Sequence, residues 1–240
     1  MTDNQNYVPY EYHNLPIPGG GYVTGFAFHP QKKDILYCRT DIGGSYRFDY
    51  DSQRWISLID HVTMKRLDET FPIALALDEQ YPERLYIACG VDTEEHGGLL
   101  AVSEDYGAHF TYQDIPVYVH GNWNGRGTGM RLVVSPKDSD TLYFASQRDG
   151  LLISHDRGKS WTVTDICGEQ YLTFVFCSPK GKCLVVGTAG VTTRKSDQER
   201  GHSLYVSFDD GATFQPLEEP ESFIFEESRM SGIVAQRYDY

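Results

Sequence analysis

Two kinds of aspartate stand out in this chain, and they differ in how often their surroundings recur. Asp41 lies in the block Arg39-Thr40-Asp41-Ile42-Gly43-Gly44-Ser45-Tyr46-Arg47. The matching places further along read Gly90-Val91-Asp92, Gln147-Arg148-Asp149 and Thr188-Ala189-Gly190. A carboxylate beside two glycines is placed for work on a ligand, because Gly43 and Gly44 let backbone or a sugar approach closely. An ordinary turn aspartate before two glycines has the same pattern. The other kind occurs three times, as Ser103-Asp105-Gly107-Phe110, Ser154-Asp156-Gly158-Trp161 and Ser207-Asp209-Gly211-Phe214. An active site is built once, so three copies point to a repeated turn in which Gly supplies positive φ and Asp binds nearby amides.

Other segments carry possible chemistry. The stretch from Gly121 to Arg131 mixes glycines, amides and arginines with one tryptophan. There Trp123 is suited to stack on a sugar ring and Arg126 to bond hydroxyls. A glycine-rich connector whose tryptophan packs on a neighbouring repeat fits the composition as well. Pro18-Gly19-Gly20-Gly21-Tyr22 is not a phosphate loop, since no Gly-Lys-Ser/Thr follows. The eight histidines show no metal-ligand spacing and no pairing with a local Ser or Cys nucleophile. The five cysteines form no Cys-x-x-Cys pair and read as small buried apolar residues. No metal and no cofactor is implied.

The elements that carry these residues follow from an internal repeat. The closing aromatics Trp55, Phe110, Trp161 and Phe214 are spaced by 55, 51 and 53 residues. In phase with them, an apolar strand leads through a Pro- or Asp-containing turn into a second one, over 26–37, 75–86, 132–143 and 174–185. Each unit reads as four short strands, and tandem units of about 50 residues are the signature of propeller blades. The expected fold is therefore all-β, with blades over approximately 15–60, 61–115, 116–165 and 166–220. A fifth blade starts within 221–240. A propeller stopped there leaves a blade unfinished and sheet edges open, so the 240 residues are expected to be the N-terminal portion of a longer, truncated propeller.

Composition narrows the function classes. Hydrophobic residues at 40% and charged residues at 23% are ordinary for a folded domain. A net charge of −13 repels a phosphate backbone and excludes nucleic acid as a natural partner. A neutral polysaccharide is not penalised. No apolar run approaches membrane-spanning length, and no membrane partner is expected. Met1 to Asn6 shows no signal-peptide pattern, which gives a cytoplasmic expectation, or a secreted one if upstream sequence has been trimmed.

The blocks Gly19-Gly20-Gly21-Tyr22-Val23-Thr24-Gly25, Phe28-His29-Pro30 and Leu36 to Arg47 resemble the start of glycoside hydrolase family 74. The segment Gly125 to Leu132, with Leu142-Tyr143-Phe144 and the turn at 154–161, resembles that family's third blade. The resemblance covers most of residues 15–215 and implies two seven-bladed propellers with a xyloglucan or related β-glucan in the cleft between them. It further implies an inverting mechanism with two aspartates, one from each propeller. Asp41 matches the general base. The acid lies in a second propeller that this chain lacks. On that reading Tyr22, Tyr46 and Trp123 are candidate sugar contacts, and Arg39, Arg47 and Arg126 bond hydroxyls. Two departures bear on specificity: Met130 stands where the family shows an acidic residue before Arg131, and Asp60 to Arg66 carries no tryptophan. A non-catalytic carbohydrate- or protein-binding propeller is the alternative. A sialidase shares the repeated turn, but the Arg-Ile-Pro segment it needs is missing.

Overall fold

A computed structural model describes residues 16–61, 64–91, 97–123, 126–189 and 203–217. Its strands form four antiparallel sheets of four strands each, every one a simple meander. Blade one contains β1 (Val23–Phe28), β2 (Leu36–Thr40), β3 (Ser45–Asp49) and β4 (Arg54–Ser57). Blade two contains β5 (Pro72–Leu77), β6 (Leu85–Cys89), β7 (Gly98–Ser103) and β8 (Thr111–Ile115). Blade three contains β9 (Leu132–Ser135), β10 (Asp138–Ala145), β11 (Leu151–Ser154) and β12 (Thr162–Thr164). Blade four contains β13 (Leu172–Cys177), β14 (Leu184–Thr188), β15 (Leu204–Ser207) and β16 (Gln215–Pro216). The chain is all-β in propeller blades. The fifth unit expected from residue 221 lies outside the described residues, as do Asp92, Asn124, Gly125 and Gly190. No helix among the described residues is long and apolar enough to cross a membrane.

Three of the four hydrophobic clusters among the described residues lie between blades, and the fourth covers the outer face of blade one. Strand side chains alternate between the two faces of a sheet, and here both faces are covered, so β2 and β6 are buried at every position. The repeated Leu-Tyr pair is the clearest result of this. Leu85 packs with Tyr37, Leu58 and Ile87 between blades one and two. Its neighbour Tyr86 packs with Ile73, Leu132 and Phe144 between blades two and three. Tyr143 in turn joins Val175, Leu184 and Val186 between blades three and four. The aromatics that close each turn seal the same seams: Phe110 the first, Trp161 the second and Phe214 the third.

The Ser-x-Asp-x-Gly turns share one bonding scheme. In the turn at 154–160, the Gly158 amide donates to Ser154 Oγ at 2.7 Å, and Ser154 Oγ donates to Asp156 Oδ1 at 2.8 Å. The Ser160 hydroxyl and amide both donate to the Asp156 carboxylate. The hydroxyl of Ser160, followed by its amide, holds Asp156 down to about 2, and Thr213 does the same for Asp209. Asp105 is also held near 2: burial pushes it up, but the His109 amide and imidazole outweigh that. The glycine has positive φ in each turn, and a side chain there would strike the preceding blade: Leu58 at Gly107, Leu100 at Gly158 and Ile153 at Gly211. Turn and seam are thus one feature.

Near this end of the blades, Asp78 joins three of them. Its carboxylate, only 1% exposed, accepts from the Gln80 and Tyr81 amides, Ser139 Oγ at 2.8 Å and Arg84 Nη1 at 2.8 Å. The buried His29 ring accepts from the Gln31 and Lys32 amides at Nδ1. That leaves Nε2–H to donate to the Asp78 carbonyl at 3.0 Å.

Candidate functional site

In a meander the loops after the second and fourth strands share one end, opposite the Ser-x-Asp-x-Gly turns. Asp41 sits at that end, directly after β2. Its amide extends the ladder by donating to the Tyr22 carbonyl at 3.0 Å. The Tyr22 amide donates back to Asp41 Oδ1 at 2.8 Å. Arg126 Nε lies 3.4 Å from Oδ2, so one oxygen is fixed by main chain and the other faces a guanidinium. The residue is 8% exposed, which leaves a narrow opening to solvent. Arg126 is held in turn through its carbonyl, which accepts from Arg39 Nη2 at 3.1 Å, and through its amide, which donates to the Trp123 carbonyl.

The glycines after Asp41 serve close backbone approach. A Cβ on Gly43 would come within 1.9 Å of the Gly20 carbonyl oxygen. Thr40 Oγ1 closes the loop by accepting from the Gly43 amide at 2.8 Å and donating to the Gly44 carbonyl. The approach is therefore backbone on backbone, and the sequence had left a sugar as the other possibility.

The remaining sequence candidates divide into two groups. Tyr22 is two-thirds exposed beside the carboxylate, and Trp123 is half-buried with its ring 5.6 Å from His120. Tyr22 and Arg126 contact Asp41 directly, and Trp123 is joined to it through Arg126. Tyr46, Arg39 and Arg47 do not fit the sugar-contacting roles expected of them. The Tyr46 ring is buried against Cys38, Phe48 and Trp55, and its hydroxyl props the loop by donating to the Gly43 carbonyl at 2.7 Å. Arg39 is 1% exposed and donates to Thr24 Oγ1 at 2.6 Å; burial lowers its guanidinium to about 10. Arg47 lies opposite Tyr37 in the ladder and donates to the Tyr106 carbonyl of the next blade, away from Asp41.

The structure adds side chains to this end that the sequence reading missed. His120 lies within 6.2 Å of Phe71, Tyr118 and Trp123, and its backbone is clasped by Gln147, which accepts from the His120 amide and donates to its carbonyl. The Arg148 guanidinium stacks 3.6 Å over the Tyr118 ring. Gln147 and Arg148 stand at the repeat position matching Asp41, which is the one signal that pointed to them.

A propeller end with a fixed carboxylate, a neighbouring guanidinium and partly exposed aromatics offers faces on which pyranose rings can stack and polar groups that can bond their hydroxyls. No protein-family model matches the chain. An oligoxyloglucan-reducing end-specific xyloglucanase of Emericella nidulans is 38% identical over 152 residues, 63% of this chain and 19% of that enzyme. A xyloglucanase of Paenibacillus sp is 34% identical over 238 residues, 89% of this chain and 23% of that enzyme. The crystal structure of the GH74 xyloglucanase from Xanthomonas campestris matches with TM-score 0.72 at 30% identity, covering 88% of this chain and 32% of that one. That of the GH74 enzyme of Niastella koreensis matches with TM-score 0.74 at 29% identity and the same coverage. The described blades are related by sequence and by fold to glycoside hydrolase family 74. The chain spans about a fifth of the length of the curated relatives it matches.

Proposed function

We propose that this chain supplies the base-bearing half of a glycoside hydrolase that cleaves xyloglucan or a related β-glucan with inversion. The observation that carries the reading is the setting of Asp41. The Asp41 carboxylate lies at the open end of the blades, with Oδ1 fixed by the Tyr22 amide at 2.8 Å and Oδ2 beside Arg126. Held this way, the carboxylate can accept a proton from a water as that water attacks the anomeric carbon. The glycosidic oxygen takes its proton from an acid on the opposite side of the sugar, and the bond from carbon to that oxygen breaks. Inversion places the two carboxyls roughly 6.5–9.5 Å apart with the water between them. In this proposal the acid belongs to a second propeller facing this one. Tyr22 and Trp123 supply stacking faces. The polysaccharide class comes from the xyloglucanase relatives and agrees with the acidic surface, which tolerates a neutral polymer.

The test is xyloglucan hydrolysis by the native, full-length protein, wild type against Asp41→Asn. Loss of a positioned general base typically costs about 10²–10⁴ in rate, so turnover is expected to fall by that amount while polymer binding persists. Wild-type product followed by proton NMR should first appear as the α-anomer from a β-linkage. Turnover that survives Asp41→Asn refutes the assignment, and polymer binding without turnover by the wild type returns the chain to a binding propeller.

A further inference from the structure

The face of blade one turned away from blade two carries a run of aromatic side chains. On β1, Ala27 packs toward blade two, so Phe26 and Phe28 take the opposite face. Phe28, Phe26, Trp55, Phe48 and Tyr50 follow one another there with ring centroids 6.5, 6.2, 5.2 and 4.9 Å apart. Phe26 is half exposed and Phe28 two-thirds exposed. The repeat shows what such positions do elsewhere. Leu75 and Leu132, which match Phe26, are fully buried, each against the blade before its own. Phe110 and Trp161, which match Trp55, seal the same two seams. Blade one therefore presents half of a seam, and a contiguous exposed apolar face of this kind marks a contact surface.

The N-terminal side of the chain already reaches this face. Ile17 packs in one cluster with Leu36, Cys38 and Trp55. The residues that match these three in blade three, Leu142, Phe144 and Trp161, share a cluster with Val117. Ile17 thus lies on blade one as Val117 lies on blade three. The likeness extends upstream in the sequence. Tyr10-Glu11-Tyr12-His13-Asn14-Leu15-Pro16-Ile17 and Phe110-Thr111-Tyr112-Gln113-Asp114-Ile115-Pro116-Val117 both read aromatic-x-Tyr-x-Asn/Asp-Leu/Ile-Pro-Ile/Val. The second stretch holds β8, the outer strand of blade two, which pairs with β7 from Thr111 opposite Val102 to Ile115 opposite Gly98. Its tail stays on the sheet, because the Gly98 amide donates to the Val117 carbonyl at 2.9 Å. Residues 10–15 lie outside the described residues.

We propose that residues 10–17 are the outer strand of a further blade, which seats on the aromatic face of blade one and seals it as blade two is sealed against blade three. The occupant of that face is a segment of this chain, joined in one sheet with three strands from elsewhere in the full-length protein. Leu15 enters the seam beside Ile17, as Ile115 does beside Val117, and Phe26 and Phe28 become interior side chains. Pro18 and the glycines at 19–21 join this strand to Tyr22, whose amide holds Asp41 Oδ1. The seam therefore anchors that loop from its N-terminal side.

The experiment is hydrogen exchange read by mass spectrometry on the native, full-length protein, wild type and Phe26→Ser. In the wild type, the peptides 10–17 and 110–117 should both exchange on the order of 100-fold slower than an unfolded chain, as ladder strands do. Phe26→Ser removes a ring from the face and leaves every hydrogen bond in place. Loss of a buried ring loosens a packed seam, so exchange in 10–17 should speed up about tenfold or more, with 110–117 unchanged. Lost protection of 110–117 would show that the variant has unfolded; Phe28→Ser, nearer the rim of the face, is then read in the same way. Exchange of wild-type 10–17 at the unfolded rate overturns the proposal, whether the face is then bare or covered by a second copy of the chain. Protection of 10–17 that stays at the wild-type level in a folded variant overturns it as well.

Discussion

Replacing Gly43 with alanine tests whether backbone contact aims Asp41. The added methyl would sit 1.9 Å from the Gly20 carbonyl oxygen and 2.9 Å from its carbon, where ordinary contact starts at 3.4 Å. The obstacle is main chain, so no rotamer change relieves it, and one of the two loops must move by about 1.5 Å, the gap between those distances. The Gly20 loop leads into Tyr22, whose amide holds Asp41 Oδ1. That hydrogen bond is therefore the first to lengthen. Overpacking of this kind costs about 1–3 kcal/mol, and a displacement near 1 Å at a reacting group costs on the order of 10² in rate. Urea unfolding gives the first quantity, and hydrogen exchange at the Tyr22 amide reports the bond directly. Gly20→Ala is the control: nothing lies within 4 Å of a Cβ there, and it should stay within about 0.5 kcal/mol of wild type. Gly43→Ala with wild-type stability and an equally protected Tyr22 amide would refute the reasoning.

Other outcomes are expected from the same structure. Asp78→Ala leaves the Arg84 guanidinium, with a side chain 11% exposed, without its 2.8 Å partner and leaves Ser139 unbonded; breaking such a buried pair costs about 3–5 kcal/mol, read as a lower urea midpoint. Asp105, Asp156 and Asp209 have folded values near 2, below the unfolded carboxylate range of about 3.9. Their contribution is complete above the unfolded value and is lost as pH falls from about 4 through 2. Thermal melts across that window should show falling stability, and a triple Asp→Asn variant should flatten the slope. Tyr86 has a fully buried hydroxyl with no hydrogen-bond partner among the described residues, and burial raises it to about 12. Tyr86→Phe should leave Tm unchanged or raise it, whereas Tyr86→Ala opens a cavity costing about 3–5 kcal/mol.

Side-chain parity explains which parts of the site were legible in the sequence. The repeat of closing aromatics and Leu-Tyr pairs reports the blades because each residue pair serves two seams at once, and that spacing survives wherever blades stack. Asp41 was legible because its block breaks the repeat. The arginines on either side of it were not, because charge type alone does not say which face of a strand a side chain takes. Arg39 lies two residues from Tyr37, and Arg47 pairs with Tyr37 across the ladder. All three therefore share the face turned to blade two. Tyr46 pairs with Cys38 and takes the opposite, also buried, face. Applied to β2 and β3, the same period-two rule would have removed these three from the list of sugar contacts. Arg148 meets the Tyr118–His120 pair only through a contact between separate loops, which no local pattern encodes.

The way Asp41 is held has a consequence for how this end of the molecule can vary. Oδ1 is set by a backbone amide, and the loop behind it rests on the Gly20 main chain and the Thr40 hydroxyl. That support runs through main chain, Thr40 and Tyr46, and the side chains of Ile42 and Tyr22 are exposed. Random libraries at positions 42 and 22 should therefore keep a competent carboxylate while the rim around it is redrawn. Under the proposed hydrolase reading, these two positions are where glycan preference would be retuned.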